Sequence, residues 1–185
     1  SAYLGPIDYL SHRMLVPELR SRKINTIILN PSPSYMNPAF WYLIPSLFQG
    51  IKVIITSAKR AKKLFLGKST NLIEIAEIIG KFNVRIVVIT MGKEGQILYN
   101  AENGKKWKIP AYPVKAIDTI GAIDAFCGGF LATYTKCFDP LKATLYGNIA
   151  ASVKIEGSGP FSVLEVLPEL LKVRINALEE KIKRI

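Results

Sequence analysis

Apolar residues recur along this chain in two alternating rhythms. Short β-branched runs predict strands. Thr26-Ile27-Ile28-Leu29-Asn30 is closed by Pro31-Ser32-Pro33 and reads as a buried strand entering a loop, and residues 51–56 repeat that pattern. Residues 84–90, Val-Arg-Ile-Val-Val-Ile-Thr, are the clearest strand of the sequence. Residues 96–99 and 106–109 add two more, with Asn103-Gly104 between them in the pattern of a tight hairpin turn. The other rhythm is helical. Leu72, Ile75, Ala76, Ile79 and Phe82 share one helical face, with Asn71 as N-cap, Glu74 as its reciprocal partner, and Gly80 and Asn83 near the end. Residues 121–134, 140–154 and 168 to about 184 also read as helices, the last two opening on Pro140 and Pro168.

Strands separated by helical stretches imply right-handed crossovers and a mostly parallel sheet covered on both faces, with the hairpin as an antiparallel addition at its edge. The class is α/β, and 185 residues suit a single domain. A hydrophobic content of 49% excludes intrinsic disorder. No apolar stretch approaches the ~18 to 20 residues of a membrane span, so no membrane association is expected. Residues 1–6 do not read as a signal peptide. A single histidine, His12, and no Cys-x-x-Cys leave a zinc hydrolase without ligands.

Cys127 and Cys137 fall on or just past one helix, about 15 Å apart at ~1.5 Å rise per residue, too far to pair. Two free thiols point to a reducing, cytoplasmic compartment. Lys and Arg number 25 against 14 Asp and Glu, a formal charge of +11. The basic clusters are scattered over loops and helix ends, with residues 181–184 at a helix C-terminus, so the charge reads as solvated surface rather than a nucleic-acid face.

In an open α/β sheet, ligands meet the carboxyl ends of strands. Two glycine-bearing segments lie there. In Thr90-Met91-Gly92-Lys93-Glu94-Gly95 the glycines serve either a tight turn or a close approach of backbone to ligand. In Asp118-Thr119-Ile120-Gly121-Ala122-Ile123-Asp124-Ala125-Phe126-Cys127-Gly128-Gly129-Phe130, small residues open a helix whose first amides have no intrahelical partner, an anion site reinforced by the helix dipole. Asp124 in that first turn is either an acid favoured by the dipole or the acceptor of a proton from an attacking hydroxyl. Gly128-Gly129 also permits close helix packing.

The second segment resembles the C-terminal signature of the ribokinase, or PfkB, family of sugar and nucleoside kinases, Asp-Thr-x-Gly-Ala-Gly-Asp-x-Phe-x-x-Gly-Phe. Residues 90–95 resemble that family's Thr-x-Gly-x-x-Gly nucleotide loop. Asn148-Ile149-Ala150-Ala151-Ser152 through Gly157-Ser158-Gly159-Pro160 is similar to its small-residue helix and loop beside the adenine. Tyr3-Leu4-Gly5-Pro6-Ile7 resembles a strand end from the middle of the fold.

The resemblance implies a three-layer α/β/α ribokinase-like fold whose N-terminal part is missing. Residues 1–185 would then be the C-terminal, nucleotide-binding portion of one domain. It implies an enzyme that transfers the γ-phosphate of ATP, with Mg²⁺, to a hydroxyl of a small-molecule sugar or nucleoside. Asp124 is its expected catalytic base, and Gly121, Ala122 and Ile123 its anion hole. Thr90, Gly92, Gly95, Asp118, Thr119 and Asn148 are expected to line the nucleotide, and no metal-ligating side chain is assigned.

Two positions depart from the family pattern. Ile123 replaces the second glycine of Gly-Ala-Gly-Asp, and its branched side chain competes for the space where the γ-phosphate approaches. The stretch matching the family's Asn-x-x-Glu motif is Thr56-Ser57-Ala58-Lys59-Arg60, basic where the family is acidic. These departures leave two further readings open: an impaired relative that binds nucleotide or a protein partner, and a basic nucleic-acid-associated protein on the same fold. If the chain stood alone, its exposed sheet edge would call for a covering element or a partner chain such as a homodimer.

Overall fold

Residues 27–29, 53–56 and 86–89 are buried along their whole length, as β-branched runs with no polar alternation should be when neither sheet face reaches solvent. The computed structural model describes residues 1–159, 161–166 and 168–185. Its contacts divide the chain into two compact units, Ser1–Met91 with Ile97–Lys106, and Gly92–Gln96 with Trp107–Ile185.

In the first unit, β1 (Ala2–Leu4), β2 (Ile27–Leu29), β3 (Val53–Ser57) and β4 (Ile86–Thr90) pair in parallel in chain order. Their register aligns Leu4, Leu29, Ile54 and Val87 in one apolar row. Strands β5 (Gln96–Asn100) and β6 (Lys105–Ile109) follow in the sheet order. The row packs against helices α1 (Tyr9–Ser21), α2 (Ile44–Phe48), α3 (Ala58–Leu64) and α4 (Leu72–Gly80), which contribute Val16, Phe48, Leu64 and Ile75 among others.

The first helix buries His12, whose Nε2 donates to the Gly5 carbonyl at 2.7 Å while its Nδ1 accepts from the Tyr35 hydroxyl at 2.6 Å. The lone histidine is therefore a satisfied core residue. Burial holds its pKa below the ordinary value and pushes the Tyr35 hydroxyl up.

Asn71 caps α4 as expected, accepting from the Ile73 amide at 2.9 Å, but the reciprocal partner differs. Glu74 accepts from the Ser69 hydroxyl at 2.6 Å, and that same hydroxyl receives the Asn71 amide at 3.1 Å. Ser69 is inserted between the two members of the expected capping box. The β5–β6 connection also differs, spanning residues 101–104 with positive φ at Gly104 but not at Asn103. A two-residue type I′ turn needs positive φ at both central residues, so the Asn-Gly pair marks a longer loop.

The second unit is built on α5 (Ala122–Cys137) and α6 (Pro140–Glu156), two long helices in close contact. Their approach depends on two glycines. A Cβ on Gly129 would lie 2.8 Å from the Tyr146 carbonyl, and one on Gly147 would lie 2.8 Å from the Phe126 carbonyl. Gly128 faces open space, so only one glycine of the Gly128-Gly129 pair serves the packing. Phe126, Phe130, Tyr134, Leu145 and Ile149 supply the apolar interior. Cys127 is buried and Cys137 exposed, and neither is in a disulfide.

Helix α7 (Pro168–Glu179) stops short of the expected end near Arg184. Residues 183–184 instead form β7 (Lys183–Arg184), antiparallel to Trp107 and Lys108 of β6. The buried positions of α7 end at Leu178; the amides of Lys181 and Ile182 turn back to the Leu178 and Glu179 carbonyls, and Lys183 and Arg184 then pair with β6. Of the basic residues expected at the helix end, Lys181 stays beside it, while Lys183 and Arg184 lie on the strand.

Candidate active site

The turn before α5 is set by local hydrogen bonds. Asp118 Oδ1 accepts the Ile120 amide at 2.9 Å, the Thr119 carbonyl accepts the Ala122 amide at 3.2 Å, and the Gly121 carbonyl accepts the Ala125 amide at 2.9 Å. Gly121 is the N-cap, at φ +78°, with no side chain to satisfy the first amides. A non-glycine residue is strained in that conformation. The Ala122 amide is taken up by the Thr119 carbonyl, so of the expected anion hole only Gly121 and Ile123 keep amides that no side chain caps at the start of this 16-residue helix.

The segment is moored to the last turn of α6. The Ile155 carbonyl accepts the amides of Ile117 at 2.6 Å and Asp118 at 3.2 Å. The Lys154 ammonium lies 3.5 Å from Asp118 Oδ2. Hydrogen bonding from the Ile120 amide, and behind it the Lys154 charge, hold the Asp118 carboxyl below the usual carboxylate range. Asp124 is exposed in the first turn of α5. Ile123 is half-buried beside it. Among the described residues other than its chain neighbours, the one atom within 4 Å of a Cβ built on Gly121 is Lys154 Cε, at 3.7 Å.

The remaining expected residues divide. In the Gly92–Glu94 turn, Gly92 has φ +60° and nothing within 4 Å of a Cβ built on it. Gly95, at φ +90°, is enclosed by its own unit: a Cβ there would run into the Ile109 carbonyl and lie 2.7 Å from the Ala111 nitrogen. Asn148 holds the same stretch, its Oδ1 accepting the Tyr112 amide at 3.1 Å and its Nδ2 donating to the Pro110 carbonyl at 2.7 Å. Gly95 and Asn148 thus fix residues 109–112. Thr90 belongs to the first unit, at the end of β4, with its hydroxyl 3.4 Å from the Thr56 carbonyl.

The basic stretch after β3 is also engaged. Ser57 caps α3, and the Arg60 guanidinium donates to Asn30 Oδ1 at 2.5 Å and to the Pro31 carbonyl at 3.1 Å. Asn30 in turn donates to the Tyr3 hydroxyl at 3.1 Å. Where the family pattern has an acid, this chain has a cation that ties together the ends of its first strands. No group of three or more metal-ligating side chains occurs among the described residues.

Sequence reasoning missed Lys154 and Arg174, the two charged residues buried among those described. Arg174 donates to Ser152 Oγ at 3.0 Å, pairs with Glu156 at 2.7 Å and stacks 4.8 Å from the Tyr112 ring centre. Lys154 had a signal: it lies seven residues, two helical turns, after the packing glycine Gly147, on the inward face of α6.

Residues 18–166 match the model of the pfkB family of carbohydrate kinases. The chain is 31% identical over 152 residues to a ribokinase of Staphylococcus aureus, an alignment covering 80% of this chain and 47% of that protein. Among solved structures it superposes on the ribokinase of Thermotoga maritima with a TM-score of 0.70 at 23% identity, covering 97% of this chain and 57% of the other. It also superposes on aminoimidazole riboside kinase of Salmonella enterica, solved with aminoimidazole riboside and an ATP analogue, with a TM-score of 0.73 at 20% identity, covering 94% and 61%. The chain spans about half the length of the curated relatives it matches.

Proposed function

The chain belongs to the pfkB family of carbohydrate kinases, and from that premise we propose that it is the nucleotide-binding and catalytic part of an enzyme that moves the γ-phosphoryl group of ATP to a hydroxyl of a sugar or nucleoside. The observation that carries this reading is the start of α5. There a left-handed Gly121 leaves the helix uncapped by any side chain, and Asp124 stands exposed in its first turn.

In the proposed reaction the acceptor oxygen attacks the γ-phosphorus and the bond from phosphorus to the ADP oxygen breaks. The acceptor's proton passes to the Asp124 carboxylate. Phosphoryl transfer asks mainly for positioning and for dipoles aimed at charge on the transferred group, which the amides of Gly121 and Ile123 and the axis of α5 supply. Gly92 offers a second open stretch of backbone, and residues 109–112, fixed by Gly95 and Asn148, would border the base. Mg²⁺ would enter with the polyphosphate, which supplies most of the oxygen ligands such an ion requires. Two free thiols fit a reducing, cytoplasmic setting.

The test is ADP release by the full-length protein with ATP, Mg²⁺ and a panel of sugars and nucleosides. Turnover is expected with at least one acceptor, and Asp124→Asn should lower kcat by roughly 10²- to 10⁴-fold with little change in melting temperature. ATP binding without turnover on any acceptor would favour the impaired relative instead.

A further inference from the structure

Lys154 is a buried cation with unspent donors. Its side chain is 7% exposed, and its Nζ makes no hydrogen bond of good length to any described residue. Its nearest charge is Asp118 Oδ2, at 3.5 Å, an ion pair longer than a well-formed hydrogen bond. Burying an ammonium on such terms is unfavourable, and exchanging it for an apolar side chain is often neutral or stabilising. Stability therefore gives no reason for a lysine here.

The neighbourhood does give one. Asp118 is needed for shape, since its Oδ1 holds the Ile120 amide and so forms the turn that presents Gly121. Its charge, however, stands just before a helix start proposed to receive polyphosphate, where a carboxylate offsets the positive end of the dipole and repels an incoming anion. The Lys154 stem runs beneath Gly121, with Cε 3.7 Å from the position of a Cβ, and its ammonium ends at that carboxylate.

We propose that Lys154 is a positioning residue of the phosphate site, which neutralises Asp118 from behind so that the carboxylate shapes the turn without repelling the nucleotide. This rests on the kinase reading above and adds to it a residue absent from the sequence motif. The cation is part of the chain, so the turn carries its own counter-charge.

The experiment measures ATP affinity, KM, kcat and melting temperature for the full-length protein and three variants. Lys154→Met should weaken ATP binding about tenfold and raise KM for ATP in proportion, with kcat nearly unchanged and melting temperature not lowered. Lys154→Gln keeps a donor for Asp118 without the charge and should show the same loss. Asp118→Asn combined with Lys154→Met removes both charges and should recover most of the affinity. Affinity within about twofold of wild type in Lys154→Met would overturn the proposal. So would full affinity in Lys154→Gln, or a double variant that binds no better than Lys154→Met. A wild-type protein that binds no ATP would overturn the kinase reading and this proposal with it. Wild-type binding unaffected by Lys154→Met overturns only the role of the lysine.

Discussion

The parallel-sheet unit and the α5–α6 unit bury different things. Around β2, β3 and β4 the interior is isoleucine, valine and leucine in register, and its titratable histidine sits neutral between a carbonyl and a hydroxyl. The other unit encloses Asn148, Ser152, Lys154 and Arg174 beside its aromatic residues and lets two helices touch through glycines. A core of the first kind follows from apolar area alone. The second kind is stable only where polar groups find partners, and of the three buried groups that find no hydrogen bond among its described residues, Gln96 Nε2, Arg174 Nε and Lys154 Nζ, the last borders the candidate site. The contrast separates an interior built on apolar area from one whose polar groups border the candidate site.

The largest stability effect should come from the apolar side. Phe65 is fully buried and packs edge-on to Trp41 with ring centres 5.1 Å apart. Phe65→Ala should lower the unfolding free energy by about 3 to 5 kcal/mol in a denaturant titration. A loss below about 1 kcal/mol would show that this core relaxes freely and would remove the contrast.

The glycines sharpen it from the other side. Gly95→Ala combines a left-handed conformation with a Cβ driven into the Ile109 carbonyl, so a loss of about 2 to 5 kcal/mol is expected. Gly92→Ala meets only the conformational cost of about 1 to 2 kcal/mol, because nothing lies within 4 Å. Equal losses from the two substitutions would mean that the enclosure of Gly95 is not what that glycine is for.

The smallest effect is one of pH. Burial lowers the pKa of His12 from its ordinary value of 6.5, so the unfolded chain takes up that proton first. The contribution of His12 to stability is therefore complete above pH 6.5 and declines as pH falls from there toward the folded-state value. Unfolding free energies measured across that window should fall on acidification, and His12→Gln should flatten the dependence. A slope unchanged by the substitution would assign it to other groups.

Much of this was legible beforehand. The runs at 27–29, 53–56 and 86–89 were strands because β-branched residues bounded by loops have few other places to go, and Asn71 announced its helix by a capping chemistry that acts within one turn. The 118–124 segment is legible for the same reason: a helix start opened by small residues, the kind that can receive an anion, is encoded by neighbours in sequence. The end of α7 is not legible in the sequence, because an apolar rhythm says where a helix is useful but not where a strand will capture the chain. Ser69 entered the α4 cap through the shape of the preceding loop, which the spacing of Asn71 and Glu74 does not carry.

Taken alone, the order of residues determined the α/β class, most of the elements, and the turn and carboxylate of the candidate site, since each depends on spacings within a few residues. Tertiary structure alone decided that Gly95 is enclosed while Gly92 is open, that Asn148 grips residues 110 and 112, and that a lysine late in α6 ends beside Asp118. Apolar burial is rewarded almost wherever a side chain lands, so its pattern can be read one element at a time. The worth of a charge or an amide depends on which distant element is packed against it, and that is known only once the helices have met.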